Sequence, residues 1–431
     1  MNHSKNEQLM ARKAAATPRG VGVMGTFFAE RAEGSELWDV QGQRYIDFAG
    51  GIAVMNVGHG HPKVIAAIEA QLKRFTHTCY QVVPYESYIA LAEKLNAMTP
   101  GTHAKKTALF STGAEAIENA IKIARSHTKR SGVIAFSGAF HGRSLFAVSL
   151  TGKVQPYKAG FGPFAPEVYH APFPCHCARL DEVKKAVHHI FKADIEPSRV
   201  AAIVFEPVQG EGGFNVIQGA AVKWLRELCD EHGIVLIADE IQTGFGRTGK
   251  MFAMQHFEQE LGVVPDLMCI AKSLAAGVPL SAVTGKAEIM DAPAPGGLGG
   301  TYAGNPLAIA AAHAVIDVMA EERLPERGQA LGDRLKAVLE GLRAEVPQIA
   351  DIRGLGAMVA VEFNRTGTTD PDADMTKRVQ AEALQRGLIL LTCGVNANVV
   401  RFLFPLTIQD GVFDEAMAIL QTSMRAAAHA R

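Results

Sequence analysis

The sequence has almost no net charge: 43 Lys and Arg stand against 44 Asp and Glu, a formal balance of -1. A protein built to hold phosphate backbones needs a surplus of Lys and Arg, so nucleic acid is excluded as the main partner. Long apolar runs are missing too; none reaches the ~18 residues that a membrane span needs. The first twenty residues have no apolar core of the kind a secretory signal carries, and the expected location is the cytoplasm. Cysteine is sparse: six in 431 residues cannot make a disulfide framework. Cys175 and Cys177, with His170 and His176 nearby, form C-x-C rather than C-x-x-C. No second ligand pair follows at zinc-site spacing, so they read as ordinary loop residues and no metal is expected. Low-complexity tracts and repeats at solenoid periods are also absent.

What is present is a long middle region in which short apolar runs alternate with helical patterns. Candidate strands are Ala108–Phe110, Val133–Phe136, Ala201–Phe205, Ile234–Ala238 and Leu267–Ile270. They are continuous apolar runs, which suits parallel strands covered on both faces. Between them, Ile117, Ala120, Ile121 and Ala124 keep the spacing of one helix face, as do Val222, Leu225 and Cys229, with Gly233 as a stop. Strand–helix–strand repetition predicts an open α/β sheet. The ends differ. Residues 20–60 are rich in Gly and include the strand-like Leu37–Val40. After about 325 come a helix near Leu331–Leu342, strand-like Met358–Phe363 and Leu388–Leu391, and a last helix after Asp414. The two ends are taken together as a smaller domain: 1–60 and 326–431 around a large domain of 61–325.

Open parallel sheets bind ligands at the carboxyl ends of their strands. After the candidate strands stand Ser111-Thr112-Gly113-Ala114-Glu115, then Phe140, His141 and Arg143, then Glu206 and Glu211, then Asp239 and Glu240, and finally Lys272. Carboxylates, a lysine, an arginine and a small-residue helix start therefore meet on one rim. Thr112 and Glu115 form a capping box, which leaves Gly113 and Ala114 in a first turn whose free N–H groups suit phosphate; a plain helix cap is the alternative. Asp239 closes an apolar strand and needs a cationic partner, which a protonated pyridine nitrogen would supply; a turn cap is equally open. Lys272 sits among apolar neighbours, where burial would free its amine for Schiff-base chemistry, against a lysine that simply reaches the surface.

One decoy is set aside. Gly244-Phe245-Gly246-Arg247-Thr248-Gly249-Lys250 matches G-x-x-x-x-G-K. A phosphate loop needs Ser or Thr after the Lys, and Met251 stands there. A dinucleotide fold would put the glycines directly at the strand end, and here Ile241 and Gln242 intervene.

These motifs, in this order, resemble the class III (subgroup II) aminotransferases of fold type I. The resemblance runs from about Pro18 to about Ile419 and is carried by FAGGIAV at 48–54, STGAEAIENAIKIAR at 111–125, AFHGRS at 139–144, EPVQGEGG at 206–213, IADEIQTGFGRTG at 237–249, AKS at 271–273 and GGTYAGNPLA at 299–308. It implies a large domain with a mostly parallel seven-stranded sheet, pyridoxal 5'-phosphate as cofactor and a homodimer, with pairing into a tetramer left open. Lys272 would bond the cofactor and move protons. Asp239 would hold the pyridine nitrogen protonated and Gln242 the ring hydroxyl. Phe140 and Ile241 would enclose the ring. Gly113 and Ala114 would hold the phosphate, with Thr301 reaching it from the second subunit. His141 and Glu206 complete the implied cofactor set. On the substrate side the resemblance implies Ile52, Gln81, Arg143 for a distal carboxylate, and Glu211 with Arg401 as a switch. FTHTCYQVVPYESY at 75–88, LTGKVQPY at 150–157 and Val400-Arg401-Phe402 favour the branch that acts on an ω-amino acid. The implied reaction passes nitrogen from 4-aminobutyrate to 2-oxoglutarate by a ping-pong route. 5-Aminovalerate, or acetylornithine and ornithine, are the alternative donors. Ile241 stands where the family often has Val, and Phe140 where some relatives have Tyr.

Overall fold

A computed structural model describes residues 4–176 and 178–429; Cys177, expected to be a loop residue, lies outside the described residues. The central sheet has seven strands, in the spatial order Lys105–Phe110, Ser281–Lys286, Leu267–Ile270, Val235–Asp239, Val200–Phe205, Gly132–Phe136 and Val168–Ala171. Ser281–Lys286 runs antiparallel to both neighbours, and the remaining pairs are parallel. Every residue of the four strands 132–136, 200–205, 235–239 and 267–270 is buried. Helices cover both faces, so no side of these strands has to be polar. Two strands escape the apolar-run reading. Val168–Ala171 is short, and Ser281–Lys286 carries Ser281 and Thr284. Those hydroxyls are buried because Ser281 donates to the Thr112 carbonyl at 2.6 Å and Thr284 meets Thr107 at 2.7 Å.

The helices start and stop for local reasons. Gly113–Thr128 opens on the expected capping box: Thr112 Oγ1 accepts from Glu115 N at 3.2 Å, and Glu115 Oε2 accepts from Thr112 N at 3.1 Å. Gly219–His232 ends at Gly233, whose φ of 62° is left-handed.

The chain's two ends share one sheet. Ala29–Glu33, Glu36–Asp39 and Arg44–Asp47 are antiparallel, and Leu388–Ile389 adds in parallel to Arg44–Asp47. A separate sheet holds Ile349–Leu355, Met358–Phe363, Val399–Phe402 and Leu391–Cys393. The single strand expected over Leu388–Leu391 is therefore two. The chain changes sheets at Leu390, whose carbonyl accepts from Gln380 Nε2 at 2.8 Å. The last helix, Asp410–His429, begins before Asp414. Cys175 is buried and disulfide-bonded, which corrects its reading as an ordinary loop residue. Among the described residues no helix is long and apolar enough to cross a membrane.

One turn joins the terminal sheets to the central body. Asp47 Oδ1 accepts from the N–H groups of Ala49 and Gly50, both at 2.9 Å. The backbone then turns left-handed at Gly50, Gly51, Ile52 and Ala53. Gly50 has φ 50°, and a Cβ there would collide with the Leu403 carbonyl. Ile52 has φ 65°, an unusual state for a β-branched residue and one that costs on the order of 1–3 kcal/mol. Ser273 Oγ holds the far side by donating to the Ala53 carbonyl at 2.7 Å.

Gly50→Ala is expected to cost more than about 2 kcal/mol, because strain and collision add. Gly42→Ala, at φ 84° with nothing near its Cβ, carries backbone strain alone, about 1 kcal/mol. Scanning calorimetry of both variants separates the terms; equal melting shifts would mean that the Leu403 backbone yields freely.

Candidate active site

The strand ends converge on a cavity of about 340 Å³, within the range of small-molecule sites. Its walls include Ser111 to Ala114, Phe140, His141, Glu206, Glu211, Asp239, Ile241, Gln242 and Lys272. Residues from five separate segments thus meet in one place.

Asp239 is 4% exposed. Its Oδ2 lies 2.7 Å from His141 Nδ1, and its Oδ1 accepts from Ile241 N at 3.1 Å. Burial disfavours the charged imidazole of His141, but the bond to Asp239 and the charges of Asp239 and Glu206 outweigh it, so its pKa rises. His141 is fixed from behind, where its N–H donates to Thr151 Oγ1 at 3.2 Å. Glu206 accepts from Phe140 N and Gly210 N, both at 3.0 Å. Burial, helped by the charge of Asp239, pushes the Glu206 carboxyl up to about 7. Glu240 turns the other way. It caps a different helix by accepting from Ala253 N at 3.1 Å and Met254 N at 2.7 Å, so it takes no part in the cavity.

Lys272 lies two residues past the end of the strand Leu267–Ile270 and has φ 46°. Burial lowers its pKa, and the nearby carboxylates of Asp239, Glu211 and Glu206 do not restore it. The shift favours the neutral amine that Schiff-base chemistry needs. Gly113 is needed because Ile241 approaches so closely that a Cβ would lie 3.0 Å from its Cδ1.

Two polar atoms in this wall are orphans. Gln242 Oε1 and His141 Nε2 are buried without a hydrogen-bond partner among the described residues. Orphaned buried acceptors are rare unless a ligand or water completes them. A free amine, a carboxylate at an apolar strand end, an unpaired amide oxygen and an open helix N-terminus fit pyridoxal 5'-phosphate group by group.

Beside the cavity lies a buried ion pair. Arg401, 3% exposed, donates from Nη1 to Glu211 Oε1 at 2.6 Å. Burial would raise the Glu211 pKa, but the Arg401 charge and hydrogen bond win and hold it below its usual value. The second Glu211 oxygen accepts from Tyr157 at 3.1 Å.

Other expected site residues stand outside the cavity. Arg143 is exposed, its guanidinium 5.1 Å from the centre of the Tyr157 ring, and it has no carboxylate partner among the described residues. Ile52 is 42% exposed. Gln81 and Thr301 are exposed, and Gln81 Nε2 donates to the Leu298 carbonyl at 2.9 Å. The sequence reading overlooked Tyr157, Ser273 and the lining segment 277–280; Tyr157 lay inside LTGKVQPY without a role.

Comparison with known proteins shows the family. The family model "Aminotransferase class-III" matches residues 16–424. The chain is 54% identical to 4-aminobutyrate aminotransferase GabT of Escherichia coli, over 97% of this chain and 98% of that protein. It is 54% identical to 5-aminovalerate aminotransferase DavT of Pseudomonas aeruginosa, over 96% and 97%. An ornithine aminotransferase structure from Toxoplasma gondii, described with partial occupancy of PLP at its active site, aligns with a TM-score of 0.85 at 32% identity, over 98% of this chain and 94% of that one.

The ion pair makes a prediction about acid. Glu211 has a depressed folded pKa, so its stabilisation is complete above the usual value of 4.5 and is lost as pH falls through the folded pKa. Glu211→Gln leaves Arg401 buried and unpaired, which costs about 3 kcal/mol at pH 7. The melting-temperature gap between wild type and variant is expected to narrow below pH 4.5. A gap that stays constant would mean that Glu211 is not charged in the fold.

Proposed function

The chain belongs to the class-III aminotransferases, and on that premise we propose that it moves nitrogen from 4-aminobutyrate to 2-oxoglutarate, giving succinate semialdehyde and glutamate. The observation that carries the reading is Arg401, a buried cation beside Lys272's cavity that Glu211 neutralises at 2.6 Å. 4-Aminobutyrate has one carboxylate, and glutamate has two. A free arginine near the reacting carbon would favour donors with an α-carboxylate. With Glu211 in place that preference is switched off, and Arg143, which has no carboxylate of its own, takes the distal carboxylate. For glutamate and 2-oxoglutarate, Glu211 moves aside and Arg401 grips the α-carboxylate through its planar fork.

The other roles follow from position. Bound pyridoxal 5'-phosphate supplies an electron sink that acidifies the C–H beside the transferred nitrogen. Lys272, whose pKa burial lowers, would bond the cofactor and move the proton. Asp239, fixed by His141, has room for one more donor and holds the pyridine nitrogen protonated. Gln242, whose Oε1 is unpartnered among the described residues, would hydrogen-bond the ring hydroxyl. Phe140, steadied by Glu206, and Ile241 enclose the ring. Gly113 and Ala114 offer N–H groups to the phosphate.

Ile52 and Gln81 stay in the proposal as substrate-side residues, and Thr301 enters it through a homodimer. The segments around Gln81 and Leu298 are tied together and carry exposed Val82, Val83 and Tyr302, an apolar surface suited to a second copy. Thr301 of the partner subunit would complete the phosphate site. We take residues 61–325 as the cofactor-binding domain, with 1–60 and 326–431 as the smaller one. We take the cytoplasm as the chain's location; Cys79, Cys229, Cys269 and Cys393 are free thiols and Cys175 is disulfide-bonded.

5-Aminovalerate is the second reading, because a relative of that name is as similar as the first. One methylene separates the donors, worth only about 1–3 kcal/mol of discrimination.

Single half-reactions of the yellow holoenzyme test the proposal. Bleaching should be fastest with 4-aminobutyrate, then 5-aminovalerate, and slow with N-acetylornithine or ornithine. Fastest bleaching by ornithine or its acetyl form would reject the substrate and leave the family intact. Lys272→Ala should lose turnover by more than about 10⁴-fold, since bonding and proton transfer both depend on it; ordinary turnover there would reject the mechanism.

A further inference from the structure

Tyr157 touches three side chains: Glu211, Arg143 and Phe140. Its hydroxyl donates to Glu211 Oε2 at 3.1 Å, while Arg401 holds the other oxygen of the same carboxylate. Its ring faces Arg143, whose guanidinium carbon is 5.1 Å from the ring centre. The ring also meets Phe140, centroid to centroid at 4.9 Å. Neighbouring lysines fix the segment. Lys153 Nζ donates to the Gly394 carbonyl at 3.0 Å, and Lys158 Nζ to the Ser149 carbonyl at 3.1 Å. Gly394 N in turn donates to the Glu211 carbonyl at 3.0 Å. The phenol is therefore anchored relative to the backbone of Glu211 itself.

We propose that Tyr157 is a specificity-determining positioning residue: its hydroxyl latches Glu211 against Arg401, and its ring supports Arg143, so one side chain joins the two carboxylate subsites. The inference rests on the Glu211–Arg401 reading above. Glu211 cannot leave Arg401 without also giving up the phenol. A hydrogen bond to a charged carboxylate is about twice as strong as a neutral one. The latch thus favours the state that suits a donor with one carboxylate, and it opposes entry of a second carboxylate. Burial, with the Glu211 charge behind it, pushes the phenol up to about 12, so Tyr157 stays a donor across the working pH range.

The test is binding of unreactive acids to the holoenzyme by calorimetry. Glutarate carries two carboxylates and requires Glu211 to move; pentanoate carries one and does not. Tyr157→Phe removes the hydroxyl and keeps the ring. It should bind glutarate about tenfold tighter and pentanoate unchanged, and its ratio of 4-aminobutyrate to glutamate half-reaction rates should fall by a similar factor. A merely structural role would weaken both acids together, and that result, or an unchanged glutarate affinity, overturns the proposal. Glu211→Ser run in parallel separates the two claims. If it tightens glutarate and Tyr157→Phe does not, the switch stands and the latch falls. If neither alters glutarate relative to pentanoate, the switch itself is wrong and the latch falls with it.

Discussion

The Asp239 carboxylate, at the end of a strand with no polar residue before it, cannot hold a charge in isolation, and much of the site is arranged around that constraint. His141 meets it at 2.7 Å. Thr151 fixes the His141 backbone, and Glu206 fixes the neighbouring Phe140. His141 Nδ1 and the Ile241 N–H each take one oxygen of the carboxylate. Lys272 lies across that cavity and feels the same charge. A desolvated carboxylate therefore orders the wall and also conditions the amine opposite it.

A second constraint links the cavity to the chain's ends. Arg247 is fully buried, and its Nη2 bonds Asn56 and, at 2.9 Å, the Phe404 carbonyl. Asn56 passes the connection on, since its Nδ2 donates to the Phe245 carbonyl at 2.7 Å. The segment that ends in Arg401's strand and the turn that carries Ile52 are thus held to the body that carries Asp239. Burial pushes the Arg247 guanidinium down to about 9, so the joint carries a real desolvation cost. The glycine-rich stretch 244–250, which imitates a phosphate loop, is this joint. Gly246 and Gly249 take φ of 81° and 85° to let the arginine turn inward.

Much of this was legible because burial on both sides leaves a strong trace. Runs such as Ile234–Ala238 have no other explanation, and the Thr112–Glu115 box marks its own helix start. What the sequence hid depends on contacts made far along the chain. Ser281–Lys286 looks polar until Thr107 and Thr112 pair with its hydroxyls. Leu390 looks like mid-strand, yet the chain crosses between sheets there. Glu240 and Asp239 are adjacent and chemically alike, but only Asp239 lines the cavity, while Glu240 caps the helix at Met254. Tyr157 could not be singled out, because its role exists only where Glu211, Arg143 and Phe140 come together. Thr301 and Gln81 lie on an open surface, away from the cavity at the strand ends.

The left-handed turn at Ile52 has a consequence for anyone who reshapes this protein by selection. Glycine or asparagine would suit φ 65° better than isoleucine does. A screen for heat tolerance will therefore be drawn to this position, while a screen for choosiness between donors of different length will defend the isoleucine if it lines the substrate pocket as proposed. The two campaigns pull one codon in opposite directions, and a library that varies residue 52 freely will reveal which pressure was really applied.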